Sequence, residues 1–536
     1  MRLYDILLAL AGGVALGIGF VVPPLWWTAF FGLAPLLFAI SHEGYRARHV
    51  FGLGMLAGFA GYGLSFYPVF WQTLPLTWLG ITQMWFAVFV VGLIWSMTVV
   101  GFSIASGVFA ILVRPYLSKW FALIYVPSAW VVADWAGAWI FSFQTLGPHS
   151  LLGTDFTMGS FGYLLAESTA LMQGASIGGL YALNFELAFI GTLIFLFIRS
   201  ERMRGRFILA GIAAALLILC GVVYVLIPSE EVSEGASLTV AAVSTQTSDV
   251  LHPTEEQEQA AFESVRSDIG TIHGADLIVF PEGTAFLQRI YQSSGEPSPE
   301  IFASAGSKEP PVVIDSASIY EADGNLYSRT EYYDAAGNRS VFAYKKFLMP
   351  FGEQLPYFYR LVAYAMGKGQ LLQDILGARG FSTKDLATPV TVRGVSIASL
   401  LCSEAMSPSF YSGEVRQGAE VLINLSSHAW FHRSYNMYIQ ARRVDQVRAA
   451  ENRRFLVEAG NIVPSFVIDP YGRVVAASEW GSTGVLMHTV YARRDLTLYS
   501  TFGELVLILP LAALGFFALR RFAYSSQLST GRGRPQ

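Results

Sequence analysis

Long apolar runs fill the first 228 residues of this 536-residue chain and constrain its fold more than any other feature. A helix crossing a bilayer needs about 20 such residues in a row. Lipid offers the backbone amides no partner, so the helix must satisfy them itself. Runs of this kind lie near residues 4–22, 24–40, 51–72, 85–113, 120–141, 171–198 and 207–227, with an eighth near 499–520. The first carries only Arg2 ahead of it and leads at once into further apolar segments, so it reads as a span and not as a cleaved signal. Only 14% of the chain is charged, against about 25% in soluble proteins.

Basic residues mark the cytoplasmic side of a membrane protein. Here they gather at Arg46 and Arg48, at Arg114 and Lys119, at Arg199, Arg202, Arg204 and Arg206, and at Arg520, Arg521, Arg532 and Arg534. Eight spans with the N-terminus inside place all four groups in the cytoplasm. Splitting 85–113 into two spans breaks that agreement, so one long, tilted or kinked helix is expected there. The expected division is a seven-helix domain over 1–228, an extramembrane domain over 229–498, a last span over 499–521, and a disordered cytoplasmic tail over 522–536. Trp26, Trp27, Trp71, Trp78 and Trp85 fall near span ends. They fit an interfacial aromatic belt; lining a lipid portal is the alternative.

The region 229–498 has the charge content of a soluble domain. The polar linker PSEEVSEGA (228–236) opens it. Strands are expected at 237–244, 275–280, 311–318, 395–401 and 419–426, with a hairpin over 326–345 turning at Ala336-Gly337-Asn338. Helices are expected at 254–270 and across the Arg-rich stretch 433–454. FLVEAG and SFVIDPYGRVVA close the domain as strands. Alternation of this kind indicates a layered α/β domain. The stretch 357–372 (YFYRLVAYAMGKGQLL) is aromatic and amphipathic. It reads equally as an arm dipping into the interface and as a packed core helix.

A net charge of −4 gives no reason to expect a nucleic-acid partner. The two cysteines are Cys220, in an apolar run, and Cys402, so a disulfide between them is not expected. A lone thiol outside the membrane faces oxidising conditions, which suggests that chemistry requires it. Cys402 follows the strand VSIASLL, Glu282 follows ADLIVFP, and Lys345 sits in AYKKFLMPFGE. Strand ends are where α/β folds place active sites. A cysteine nucleophile needs a base to form thiolate. A carboxylate can be that base, and a lysine near both can steady an oxyanion. Taken singly, each has an ordinary reading: solvated loop, surface charge, small buried hydrophobe. Spacing alone does not decide.

The strings VFPEG, YKKFLMPFGE and LLCSEAM, in that order, resemble the Glu-Lys-Cys motifs of the nitrilase superfamily. The PFGE extension narrows the resemblance to the apolipoprotein N-acyltransferases. GIGFVVPPLWWTAFFGLAPLL, FYPVFW and LMQGASIGGLYALNF extend it over the membrane half. The resemblance implies a nitrilase-like α-β-β-α sandwich joined to about eight transmembrane helices. It implies a multi-pass protein of the bacterial inner membrane with its catalytic domain in the periplasm. The reaction implied is transfer of a fatty acyl chain from a phospholipid, most simply phosphatidylethanolamine, through a Cys thioester. The acceptor is the N-terminal amine of diacylated apolipoproteins. Glu282 would be the base and Cys402 the nucleophile. Lys345 would hold the oxyanion beside the backbone N–H of Ser403. Lys345 is preferred to Lys346 because Leu348 and Glu353 follow it at the family's spacing. Glu353, Glu404 and Trp430 match further family positions, the two carboxylates orienting the lysine and the nucleophile loop. No cofactor or metal is implied, and a monomer is expected.

Some positions depart from the family pattern. Ser427-His428 stands for the usual Asn-Asp, His432 for a glycine, Tyr438-Ile439-Gln440 where Gln-His is usual, and Ala459-Gly460-Asn461-Ile462 for a Thr-Asn-Thr-Gly run. These loops leave the triad intact and put substrate selectivity in question. His428 and His432 have the spacing of a metal pair but lack a third ligand. Two other readings compete: a membrane-tethered amidase using water or another amine, and a catalytically silent lipoprotein-binding scaffold.

Overall fold

The computed structural model describes residues 2–228, 235–247, 254–294, 305, 309–334, 336, 338–384 and 389–530. Most of the linker 228–236, the hairpin-turn residue Gly337 and the tail beyond 530 lie outside these. Among the described residues, seven helices are long and apolar enough to span a membrane: Leu3–Val21, Pro23–Ile40, Met84–Tyr116, Ala122–Gln144, Ala175–Arg199, Met203–Leu226 and Leu498–Arg520. An eighth candidate is the pair Ala47–Ser65 and Tyr67–Thr73, bent by 45°. Pro68 accounts for the bend: it lacks an N–H to continue the first helix and opens the next. Met84–Val113 is one helix without a break, as the basic-loop argument requires. The last helix continues to Thr530, past the end expected at residue 521.

Small residues set how closely the membrane helices approach. A Cβ added at Gly17 of the first helix would lie 2.3 Å from the Gly61 carbonyl oxygen of the third. Close backbone contact of this kind packs helices where lipid supplies no hydrophobic drive. Met203–Leu226 buries none of its residues, as suits a helix facing lipid on most sides.

The extramembrane strands are β1 (Ser237–Ser244), β2 (Leu277–Val279), β3 (Val312–Tyr320), β4 (Leu326–Tyr333), β5 (Arg339–Tyr344), β6 (Val390–Val392), β7 (Val395–Leu401), β8 (Val421–Ser427), β9 (Phe455–Asn461), β10 (Phe466–Ile468), β11 (Val474–Ala477) and β12 (Gly484–Tyr491). They form two six-stranded sheets, ordered β12-β1-β2-β3-β4-β5 and β11-β10-β9-β8-β7-β6. Alternate residues of β1 (Leu238, Val240, Ala242) and of β8 (Val421, Ile423, Leu425) pack between the sheets. The outer face of the first sheet is covered by helices Glu255–Ile269 and Phe286–Ser294, through Val265, Ile269 and Phe286. The outer face of the second is covered by Pro408–Arg416 and Tyr435–Asn452. The architecture is the expected α-β-β-α sandwich. The short β6 and the edge strand β12 were not anticipated.

The helix Tyr435–Asn452 also explains its own arginines. It is wedged between the second sheet and the membrane helices. Arg443, fully buried, pairs with Glu167 at 2.7 Å and donates to the Gly19 carbonyl. Glu451 accepts from the Leu180 amide at 2.8 Å. Asn436 donates to the Val21 carbonyl and Gln440 to that of Ser65. These polar side chains are not a solvated face: Arg443, Asn436 and Gln440 satisfy backbone carbonyls of the membrane half, and Glu451 a backbone N–H, which would otherwise be buried without partners.

Candidate active site

Three expected side chains meet at the strand ends. Lys345, immediately after β5, places Nζ 2.7 Å from Glu282 Oε1 and 2.6 Å from Glu353 Oε1. Its side chain is 1% exposed. Glu353 also accepts the Met349 amide at 2.8 Å, which fixes its carboxylate against the lysine loop. One ammonium thus serves two carboxylates. Burial pushes Glu282 above the ordinary carboxyl range, and the Lys345 charge only partly pulls it back. Burial alone would lower Lys345, but Glu282 and Glu353 outweigh it and hold the ammonium charged.

Cys402 follows β7 with φ of 46°, in the left-handed region that residues with a Cβ seldom adopt. Such strain persists where neighbours over-determine it, and here they do. Glu404 accepts the Leu401 amide at 2.9 Å with one oxygen and the Lys346 amide at 2.7 Å with the other. Ser403 Oγ donates to the Phe347 carbonyl at 2.8 Å. The turn carrying the thiol is therefore laced to the loop carrying the lysine. Cys402 Sγ lies 3.8 Å from the Ser427 carbonyl and 4.0 Å from Ser426 Oγ. Burial, and then the Glu282 charge, push the thiol well above its usual pKa. The resting group is a thiol facing a carboxylate.

Glu282, Lys345, Glu353, Cys402 and Ser403 line one cavity of about 190 Å³. A second cavity of about 140 Å³ is almost wholly apolar and lies beside it, between the helix Met84–Val113 and the arm 351–375. Val69, Met349, Trp430 and Phe431 line both. The arm contains the helix Tyr357–Ala365, which turns Tyr359, Val362 and Ala363 toward the apolar cavity and leaves Tyr357, Leu361 and Tyr364 exposed. One face is packed as a core helix would be, and the other is open and apolar.

Comparison with known proteins completes the picture. Residues 12–193 match the apolipoprotein N-acyltransferase N-terminal domain, and residues 239–498 match the carbon-nitrogen hydrolase family. The chain belongs to the apolipoprotein N-acyltransferase family. It is 27% identical over 532 residues to an apolipoprotein N-acyltransferase of Gloeobacter violaceus, covering 96% of this chain and 94% of that one. Its identity to the Geobacter metallireducens apolipoprotein N-acyltransferase is 28% over 517 residues, covering 93% and 92%. Among solved structures, a CN-hydrolase superfamily protein from Xanthomonas campestris aligns with 51% of this chain and 97% of its own, at 15% identity and a TM-score of 0.35.

Of the departures from the family pattern, Ser427, His428 and Asn461 line this cavity. His428 lines it, is 3% exposed, and is lowered by burial to a pKa of about 4. His432 points elsewhere, with Nε2 3.0 Å from the carbonyls of Thr73 and Pro75. Asn461 ties the ends of three strands together, through Thr245 Oγ1, Thr247 and Ser427 Oγ. Trp78 is not a belt residue: it is 6% exposed and stacks on Trp430. Sequence reading did not single out Asn424, Asp445 or Glu458, which also line the cavity. The one local signal was Glu458, an acid in the otherwise apolar strand FLVEAG.

Proposed function

We propose that this protein moves a fatty acyl chain from a phospholipid, through a thioester on Cys402, to the N-terminal amine of diacylglyceryl-cysteine lipoproteins. The observation that carries the reading is the junction of two cavities. One holds a buried thiol with a carboxylate and an ammonium. The other, sharing its wall, is apolar and framed by membrane helices, as a lipid chain requires.

In the first half-reaction Glu282 takes the thiol proton as Sγ attacks the ester carbonyl carbon. Lys345 Nζ and the Ser403 N–H face the oxyanion that forms. Collapse breaks the ester C–O bond, and the lysophospholipid oxygen leaves with the proton from Glu282. In the second, the lipoprotein amine attacks the thioester carbon, Glu282 accepts a proton from that nitrogen, and the C–S bond breaks. The proton passes to the departing Sγ, restoring the thiol. Glu353 and Glu404 act as positioning residues, one for the lysine and one for the turn. The apolar cavity holds the acyl chain. The catalytic domain lies on the periplasmic side of a bacterial inner membrane, where the basic loops orient it, and the acyl donor is phosphatidylethanolamine.

The test is incubation of the full-length protein with phospholipid, followed by intact-mass analysis and then addition of a diacylated lipopeptide. An acyl adduct on Cys402, lost in Cys402→Ala, and an amide product are expected. Absence of any adduct sinks the thioester route. Free fatty acid without amide selects a hydrolase using water.

A further inference from the structure

The cavity that holds Cys402 also contains polar groups that the thiol chemistry leaves unused. Asn424 of β8 and Glu458 of β9 are register partners, and Asp445 faces Asn424 from the helix Tyr435–Asn452. All three are 1–2% exposed. Asn424 Nδ2 donates to Asp445 Oδ2 at 3.2 Å and to Glu458 Oε2 at 3.1 Å. Burial, and then the neighbouring Asp445 charge, raise Glu458 well above the ordinary carboxyl range. Burial raises Asp445 as well, and its carboxyl hydrogen-bonds that of Glu458. Two acids and an amide thus share one buried part of the cavity wall.

Arg448 acts on Asp445 through its field, while its guanidinium pairs with Glu451 at 2.9 Å and donates to the Tyr163 hydroxyl at 2.9 Å. Tyr411 and Tyr438 face the pair as phenols whose own ionisation it opposes.

A second observation points to a ligand. Asn424 Oδ1 is buried on the cavity wall and accepts no hydrogen bond. Asp445 Oδ1 and Glu458 Oε1 likewise accept from no donor among the described residues. His428 Nδ1, on the same wall, is also unpartnered. A buried acceptor left empty bears its full desolvation cost. Two carboxyl groups and several open acceptors suit a cation that brings N–H donors of its own. A primary ammonium has three. A hard metal ion needs six or more oxygens, and no group of three or more His, Cys, Asp or Glu that could hold a metal occurs among the described residues.

The place is suited to chemistry at Cys402. Ser426, with Oγ 4.0 Å from Cys402 Sγ, is two residues from Asn424 on the same face of β8, about 7 Å along the strand. We propose that Asn424, Asp445 and Glu458 form a receiving site for a primary ammonium group of a lipid substrate. The inference rests on the acyl-transfer reading, whose two substrates both carry that group: the phosphatidylethanolamine headgroup and the lipoprotein N-terminus.

The test reads binding and not turnover, on the full-length Cys402→Ala protein. The probes are a fluorescent diacylglyceryl-cysteine peptide with a free or an acetylated α-amine, and lysophosphatidylethanolamine or lysophosphatidylglycerol as competitors. The free amine is expected to bind about tenfold tighter than the acetylated one, and Asp445→Asn with Glu458→Gln to erase the difference. If the substitutions instead erase a preference for lysophosphatidylethanolamine, the occupant is the donor headgroup. Equal or absent binding within both probe pairs overturns the inference, and so does a preference that survives both substitutions. The comparison without those substitutions stands even if either one unfolds the chain. Failure of the acyl-transfer reading shows separately, as a missing adduct on Cys402 in the unsubstituted protein.

Discussion

Trp78 and Trp430 stack face to face, with ring centroids 5.3 Å apart and planes 3° from parallel. One belongs to the membrane half and the other to the loop after β8. Trp430 lines both the thiol cavity and the apolar one. It also covers Gly352, where a Cβ would lie 2.0 Å from the indole ring. The wall between the thiol cavity and the apolar one is therefore built jointly by the two halves.

Removing that ring should merge the two cavities. Trp430→Ala is expected to slow acylation of Cys402 by about tenfold or more, a barrier change of about 1.4 kcal/mol. Trp430→Phe should keep most of the rate because a ring still fills the gap. Gly352→Ala should give a milder form of the same defect, since the indole must give way to the new methyl. Time-resolved intact-mass measurement checks this, and a wild-type rate in Trp430→Ala would remove the wall from the mechanism.

The two adjacent lysines should behave differently. Lys345→Ala leaves Glu282 and Glu353 buried without their cation, which costs about 3–5 kcal/mol, and it should abolish the Cys402 adduct. Lys346→Ala should keep most activity. Its backbone amide, which the substitution spares, is what binds Glu404, and its side-chain charge acts on Glu414. Adduct formation and a melting curve for each variant decide the matter. A dead Lys346→Ala beside an active Lys345→Ala would exchange the two roles.

What could be read from sequence follows from where each signal resides. The strands around Glu282 and Cys402 were legible because apolar runs broken by a polar residue report burial followed by exposure in one dimension. β12 was missed although GVLMHTVY alternates in part, because nothing local says that it pairs with distant Ser237–Ser244. The helix Tyr435–Asn452 was found, but its role was not. Charge on every side resembles a solvated helix until the membrane carbonyls that Arg443 and Asn436 serve are in view. Asp445 and Glu458 were overlooked for the same reason, since their meaning depends on sharing one buried site from separate elements. Trp78 was read as an interfacial residue because span ends are visible in sequence and a partner 352 positions away is not.

Stability and acylation should respond to pH in opposite directions. Glu404, Asp315 and Glu451 are each raised by burial to about 7. A carboxyl with a raised folded-state pKa binds its proton more tightly in the folded chain. Its contribution is complete below the unfolded value and is lost as pH rises through about 7. Glu321 and Asp323, which are lowered, act only below the ordinary carboxyl range, outside this window, and His428, lowered to about 4, opposes the trend only below its ordinary value of about 6.5, as one group against three. The melting temperature in detergent should therefore fall between about pH 5 and 8. In the proposed mechanism Glu282 acts as a base only when ionised, and its pKa is also raised, so the acylation rate should climb as pH rises. A melting temperature that is flat or rising over that range would contradict the burial argument.

The close helix contact at Gly17 gives a prediction independent of the chemistry. A Cβ there would lie 2.3 Å from the Gly61 carbonyl oxygen and 2.9 Å from Leu64 Cβ. Neither can swing aside, because one is backbone and the other is fixed to it. Gly17→Ala must therefore separate two helices that otherwise touch along their backbones, at a cost of about 1–3 kcal/mol. Gly211 is the control. It lies in the outward helix Met203–Leu226 with nothing within 4 Å of its added Cβ. Gly211→Ala should leave stability unchanged or raise it slightly, since alanine favours a helix by up to about 1 kcal/mol over glycine. Thermal melts followed by size-exclusion chromatography in detergent compare the two. Equal melting would mean that the first and third helices do not depend on this contact, and that their packing is carried by the larger side chains beside it.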